Sequence, residues 1–157
     1  MNINCEAISH DNYDVLHTLM TDYYRDGEDK DTSQEEIDAF IKLLFDKVIS
    51  GDISGCIADV NHSAVGFALW MKDTAKRDFS QIPGFGTILE IGVSKQHQHQ
   101  GIGKAMVAIT EKQLTLCGVD GLYVCAYGPA QNFWMICGYQ DSQKVASNGL
   151  PIFIKQI

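Results

Sequence analysis

Residues 89–106, Leu-Glu-Ile-Gly-Val-Ser-Lys-Gln-His-Gln-His-Gln-Gly-Ile-Gly-Lys-Ala-Met, constrain this chain more than any other stretch. Residues 87–93 read as a strand. Ile102, Ala105, Met106, Ile109 and Leu114 then recur at helical spacing until Gly118 stops the run. The turn from Gln98 to Lys104 therefore passes straight from a strand into a helix. The first amides of a helix have no intrahelical acceptor and lie at the positive end of its dipole, so an anion is expected there. Glycines at 101 and 103 lack the Cβ atoms that would keep a diphosphate away, and Lys104 adds a positive charge. Taken alone, the same glycines also suit a helix start with a purely structural role. Two phosphate motifs are excluded by the letters themselves. Ala105 stands where a Walker loop needs Ser or Thr, and Met106 where the dinucleotide fingerprint needs its third small residue.

Around this segment the pattern alternates between sheet and helix. Residues 2–8 read as a short strand. Ser9, His10 and Asp11 follow, and then Val15, Leu16, Leu19 and Met20 at helical spacing. After a polar, acidic connection at 23–32, Ser33 with Glu36 makes a capping box. It precedes Ile37, Phe40, Ile41, Leu44, Phe45 and Val48, a second amphipathic helix. Residues 53–60 and 64–71 are β-rich runs joined by Asn61, His62 and Ser63, which suits a hairpin. Residues 72–86 read as a loop and 122–126 as a strand. Pro129 opens a short helix that Gly138 ends, and 139–157 resembles a hairpin turning at Ser147, Asn148 and Gly149. The resulting order is strand, two helices, three strands, helix, strand, helix, two strands. It predicts an α/β (α+β) fold, one domain over 1–157 with a mixed sheet and helices on both faces.

Composition removes several function classes. The chain of 157 residues is 45% hydrophobic and 20% charged, enough apolar material for one domain with a sizeable core. A net charge of -8 argues against a nucleic-acid partner, which would call for clustered Lys and Arg. No segment approaches the roughly 20 apolar residues of a membrane span, and the first residues lack a basic patch followed by an apolar run. A cytoplasmic location without membrane contact is the expectation. Cys5, Cys56, Cys117, Cys125 and Cys137 form no C-x-x-C pair and read as free, mostly buried thiols. A catalytic cysteine is the weaker alternative, because no histidine lies close in sequence to Cys125 or Cys137. His97 and His99 have metal-like spacing, yet no Cys, Asp or Glu accompanies them, so no metal is expected.

Three features together resemble the GNAT superfamily of N-acetyltransferases: Leu89-Glu90-Ile91-Gly92-Val93, the Gln98 to Gly103 turn, and Asn132-Phe133-Trp134 ahead of Cys137-Gly138-Tyr139. The family signature Q/R-x-x-G-x-G/A is filled by Gln98, Gly101 and Gly103. The resemblance implies acetyl-CoA as co-substrate. Its diphosphate would sit on Gln98, His99, Gln100, Gly101, Ile102, Gly103 and Lys104. Its pantetheine arm would lie along Ile91, Gly92 and Val93, where the fourth strand splays from the fifth, with Asn132 and Trp134 also at the cofactor.

The same resemblance makes Glu90 the candidate general base, directly or through water, although a solvated or salt-bridged strand glutamate fits the letters equally. The amide of Val93 or a neighbour would polarise the thioester carbonyl. Where similar proteins often place a tyrosine as general acid, this chain has Trp134, whose indole donates a hydrogen bond but no proton. Tyr127 is the candidate in its stead, with Tyr139 as a second. The acidic run Asp22, Asp26, Glu28, Asp29, Asp31, Glu35 and Glu36, with Tyr23 and Tyr24, falls where the family borders its acceptor cleft. It suggests a small cationic amine acceptor, or else a solvated helix end. A peptide amine, or a CoA-binding sensor without efficient chemistry, are the other readings, and similar proteins are commonly dimers.

Overall fold

A computed structural model describes residues 1–27, 30–77 and 80–157. Among the described residues, seven strands, β1 (Asn4–Ala7), β2 (Ser54–Val60), β3 (Ser63–Lys72), β4 (Gly86–Val93), β5 (Leu122–Cys125), β6 (Gln140–Val145) and β7 (Pro151–Lys155), are interspersed with four α-helices. The helices are α1 (Tyr13–Asp26), α2 (Gln34–Ile49), α3 (Ile102–Leu116) and α4 (Gln131–Ile136), in the order that the hydrophobic periodicity predicts. The strands form a mixed sheet in the order β1-β2-β3-β4-β5-β7-β6. Residues 1–69 with 90–106 make one compact unit, and residues 70–89 with 107–157 make another.

In the first unit β1 runs antiparallel to β2, from Asn4↔Asp59 to Ala7↔Cys56. Asn61 and His62 connect β2 to β3 at φ 52° and 65°. Two successive left-handed residues are what a type I′ turn requires, and its twist matches that of the flanking strands. Ser63 consequently opens β3, so the turn is one residue tighter than the three-residue connection the sequence suggests.

Helix α1 buries Leu16, Met20 and Tyr24, and α2 buries Ile37, Ile41 and Phe45. These positions recur every three or four residues, and burying each such side chain contributes roughly 1.5–3 kcal/mol. The capping box at the start of α2 is formed: Glu36 N donates to Ser33 Oγ at 3.2 Å and Ser33 N donates to Glu36 Oε2 at 3.2 Å. The two helices are joined by the 2.7 Å contact of His17 Nε2 with Asp38 Oδ1 and by the Tyr13 ring against Phe45, 4.6 Å between centroids.

In the second unit β4 and β5 pair in parallel through Gly86↔Leu122 and Thr87↔Tyr123. Strand β7 runs antiparallel to β5, from Leu122↔Lys155 to Cys125↔Ile152. Leu122, Tyr123 and Val124 are successive buried residues, the near-continuous apolar run of a strand covered on both faces. Strand β6 pairs with β7 and slips register between Asp141 and Lys144, with Gln143 at φ 64°, a bulge.

Asp73, 0% exposed, organises the loop between β3 and β4. Its Oδ2 accepts from Gln81 N at 2.9 Å, Ile82 N at 2.9 Å and Tyr123 Oη at 2.8 Å. Gln81 in turn exchanges two hydrogen bonds with Ser147 in the β6–β7 turn, at 2.9 and 3.0 Å. Lys155 closes the other side of the unit, donating to both carboxylate oxygens of Glu111 at 2.9 and 2.8 Å and to the Cys137 carbonyl at 2.9 Å.

Candidate active site

Alternation along β4 turns Glu90 and Gly92 to one face and Ile91 and Val93 to the other. Helix α1 covers the first of these faces. Tyr24, 4% exposed, donates from its hydroxyl to Glu90 Oε1 at 3.4 Å. One residue earlier, the Tyr23 ring lies over Gly92. A Cβ at position 92 would stand 2.9 Å from Tyr23 Cδ2 and 2.7 Å from Phe67 Cε1, so glycine is required for the close approach of both rings. Tyr23 also meets Tyr24 and Phe67 edge-on, at 5.1 and 5.4 Å, while Tyr24 leans on Phe40 of α2 at 5.5 Å. Phe67 has no functional signal in the sequence, since it reads simply as one more apolar residue of β3.

The segment after β4 is tightly tied. Ser94 N donates to Val65 O at 2.8 Å, and a 3-10 turn at Lys95–His97 follows. Within it His97 Nδ1 meets Ser94 Oγ at 2.8 Å, so this histidine braces the turn. Gln98 Nε2 donates back to Val93 O at 3.0 Å, and Gln100 Nε2 to Gln96 O at 3.3 Å. His99 and Gly101 then take left-handed conformations, φ 60° and 83°. The first bond of α3 is Ala105 N to Gly101 O at 3.1 Å. The amides of Ile102, Gly103 and Lys104 therefore lie in the first turn without an intrahelical acceptor.

Left-handed residues alternating with ordinary ones gather successive N–H groups into a concavity suited to anions. A Cβ built on Gly101 would meet nothing within 4 Å, so the approach to the turn is clear. This geometry fits a diphosphate. Ile102 is buried and offers its amide, whereas Gln98, His99, Gln100, Gly101 and Lys104 are exposed.

In the second unit Tyr127, 36% exposed, stands just after β5 and precedes the 3-10 turn Gly128–Ala130, whose Ala130 N donates to Tyr127 O at 2.8 Å. Asn132 is exposed in the first turn of α4, whose N-cap is Ala130. Trp134, 6% exposed, packs edge-on against Tyr139 at 5.3 Å and Phe133 at 5.2 Å. Tyr139 is buried too, and burial, followed by the neighbouring Glu111 carboxylate, pushes its hydroxyl above the ordinary tyrosine value. Of Tyr127 and Tyr139, Tyr127 is the accessible one.

The acidic run divides by position. Asp22 lines an open hollow of about 430 Å³ with Ser94, Lys95 and Gln96, Asp26 ends α1, and Asp31 is exposed. Glu35 and Glu36 stand in the first turn of α2, where Glu36 is occupied by the capping box. Glu28 and Asp29 lie outside the described residues. Arg25 bridges the connection between the helices, donating to the carbonyls of Lys30 and Thr32 and, at 3.2 Å, to Gln34 Oε1. Among the described residues no cluster of three His, Cys, Asp or Glu side chains could hold a metal ion, and no helix is long and apolar enough to cross a membrane.

The fold is shared with the PaiA N-acetyltransferase of Thermoplasma acidophilum, crystallised in complex with coenzyme A, at TM-score 0.74 and 16% identity over 100% of both chains. A GCN5-related N-acetyltransferase from Ralstonia eutropha matches at TM-score 0.74 and 17% identity, over 93% of this chain and 97% of that one. PH1933 from Pyrococcus horikoshii matches at TM-score 0.71 and 22% identity, over 99% of each. No curated protein sequence matches the chain. The sequence model of the acetyltransferase (GNAT) family matches residues 13–139, and this chain accordingly belongs to that family of acetyl-CoA-dependent acetyltransferases.

Proposed function

We propose that the chain transfers the acetyl group of acetyl-CoA to a primary amine of a small cationic molecule, by direct attack within a ternary complex. The observation that carries this reading is the turn at 98–104. Left-handed His99 and Gly101 lead into three amides without intrahelical acceptors, directly after the strand that bears the half-buried Glu90. In this reading Gln98, His99, Gln100, Gly101, Ile102, Gly103 and Lys104 hold the diphosphate. Backbone groups of Ile91, Gly92 and Val93 align the pantetheine arm and Asn132 steadies it. Trp134 supports this end through packing.

Amide formation needs a neutral amine, a polarised carbonyl and a departing thiol. Glu90 takes a proton from the acceptor's ammonium group so that the neutral amine attacks, and the Val93 amide stabilises charge developing on the carbonyl oxygen. As the C–N bond forms and the C–S bond breaks, the nitrogen sheds its second proton to solvent, and Tyr127 supplies a proton to the leaving sulfur and regains one from solvent. Thiols have a modest pKa, so this last role contributes less than the first two. Asp22, Asp26 and Asp31, with the Tyr23 ring, favour a cationic acceptor through charge and cation–π attraction.

The test is thiol release from acetyl-CoA in the presence of spermidine, an aminoglycoside, a simple alkylamine and a lysine-bearing peptide. At least one small polyamine or aminoglycoside should accelerate release over the amine-free rate. Glu90→Gln should then lower kcat by about 10²–10⁴-fold while acetyl-CoA affinity stays put. Binding of acetyl-CoA without acceleration by any amine defeats the enzymatic reading, and acceleration by the peptide alone defeats the small-molecule acceptor.

A further inference from the structure

We propose that Tyr24 is a positioning residue for the Glu90 carboxylate, coupling the acceptor-side helix α1 to the proton-accepting group on β4. This rests on the reading of Glu90 as the base. Tyr24 is 66 residues away in sequence, and its ring is held on two sides, against Phe40 of α2 and Tyr23 of α1. A phenol so enclosed has its hydroxyl direction fixed by packing, and a buried tyrosine hydroxyl normally finds a polar partner. Here that partner is Glu90 Oε1.

A glutamate side chain has three rotatable torsions and, on a half-buried strand face, would otherwise sample several orientations. A hydrogen bond donated to one oxygen limits those orientations. The Tyr23 ring over Gly92 closes the adjoining space on the same face, so the carboxylate cannot swing towards position 92. The ionisable residues of the covering helix are Tyr13, Asp14, His17, Asp22, Tyr23, Tyr24, Arg25 and Asp26, of which Arg25 is turned to the carbonyls of Lys30 and Thr32 and His17 to Asp38, and β4 itself carries none besides Glu90.

The decisive variant is Tyr24→Phe, which keeps the ring and its packing and removes only the donor. Carboxyl ¹³C NMR of the full-length protein, with the Glu90 resonance assigned through Glu90→Gln, reads the contact without any acceptor. Loss of the donor should raise the Glu90 titration midpoint by about one pH unit, a tenfold change in proton affinity. The thermal midpoint should hold, as the ring remains. In acetyl transfer, kcat should fall about tenfold with the KM for acetyl-CoA unchanged, and Tyr24→Phe should add nothing in a Glu90→Gln background. A Glu90 titration unmoved by Tyr24→Phe overturns the role of Tyr24 while leaving the base intact. Unchanged turnover in Glu90→Gln overturns the base assignment instead, and an equal loss from Tyr24→Phe in both backgrounds shows that Tyr24 acts independently of Glu90.

Discussion

Replacing Asp73 by alanine tests how the paired end of β4 is held. The carboxylate is fully buried and gathers three donors on one oxygen, the amides of Gln81 and Ile82 and the hydroxyl of Tyr123. Tyr123 is also the residue registered opposite Thr87, so the network anchors the two-pair parallel ladder between β4 and β5. Hydrogen bonds to a charged group contribute about 1.5–3 kcal/mol each. Gln81 and Ile82 are half-buried and can recruit water, whereas Tyr123 is buried and cannot. Relief of the desolvated charge offsets part of the loss, and a net cost of about 3 kcal/mol results for Asp73→Ala.

With a urea m-value of about 2 kcal/mol/M, the unfolding midpoint should drop by about 1.5 M at constant m. Tyr123→Phe, which removes one donor, should cost about 1.5 kcal/mol and less than that in the Asp73→Ala background. Burial pushes the Asp73 carboxyl up, but the bonds from Tyr123 and the amides of Ile82 and Gln81 outweigh it and hold it below the ordinary carboxylate value. The unfolded chain therefore binds this proton first. The stabilisation is complete above about pH 4 and is lost as the pH falls through the folded value. Urea titrations monitored by far-UV circular dichroism between pH 3 and 7 measure both effects. A midpoint for Asp73→Ala within about 0.2 M of the parent at pH 7 would refute the anchoring argument.

The turn at 98–104 should separate binding from folding. Gly103→Val should weaken acetyl-CoA binding in calorimetry with little change in melting temperature, whereas Gly101→Val should also lose about 1–2 kcal/mol of stability because its φ of 83° is left-handed. Equal affinity in Gly103→Val would remove the diphosphate from this turn. Cys5 should be unusually reactive: a hydrogen bond from the Cys56 thiol, against burial and the nearby Asp59 charge, brings its pKa down to about 7. Alkylation by iodoacetamide, followed residue by residue in the mass spectrometer, should titrate near that pH. It should slow at pH 7 in Cys56→Ala, as the pKa returns towards 9. Cys125, raised by burial and then by the Asp73 charge, should stay unmodified under the same conditions, and comparable labelling of both thiols would contradict this ordering.

What could be read from the letters was whatever depends on neighbours in sequence. The capping box of Ser33 and Glu36 is a contact between residues three apart, and Gly118 and Gly138 stop their helices because each stands at positive φ, 71° and 93°. The turn at 98–104 is local as well, a strand passing into a helix within a few residues. The contact of Tyr24 with Glu90, the Tyr23 and Phe67 rings over Gly92, and the burial of Asp73 join residues far apart in sequence. No period or spacing announces them. Asp73 illustrates the difficulty, since Asp73-Thr74-Ala75-Lys76-Arg77 reads as a solvated loop and its carboxylate is nonetheless fully enclosed. Trp134 occupies a position the family resemblance links to chemistry, while its indole is packed against Tyr139.

The bond from Gln98 to the Val93 carbonyl ties the end of β4 to the turn at 98–104, so the two should open and close together. Local opening of 93–104 would expose its amides as a group, and a ligand seated on the turn must then suppress that opening by mass action. At a hundredfold excess over its dissociation constant the shift is about 2.7 kcal/mol, close to a hundredfold slowing of amide hydrogen exchange. The amides of β4 and of the first turn of α3 would thereby report occupancy of the turn in a protein at rest, before any acceptor arrives.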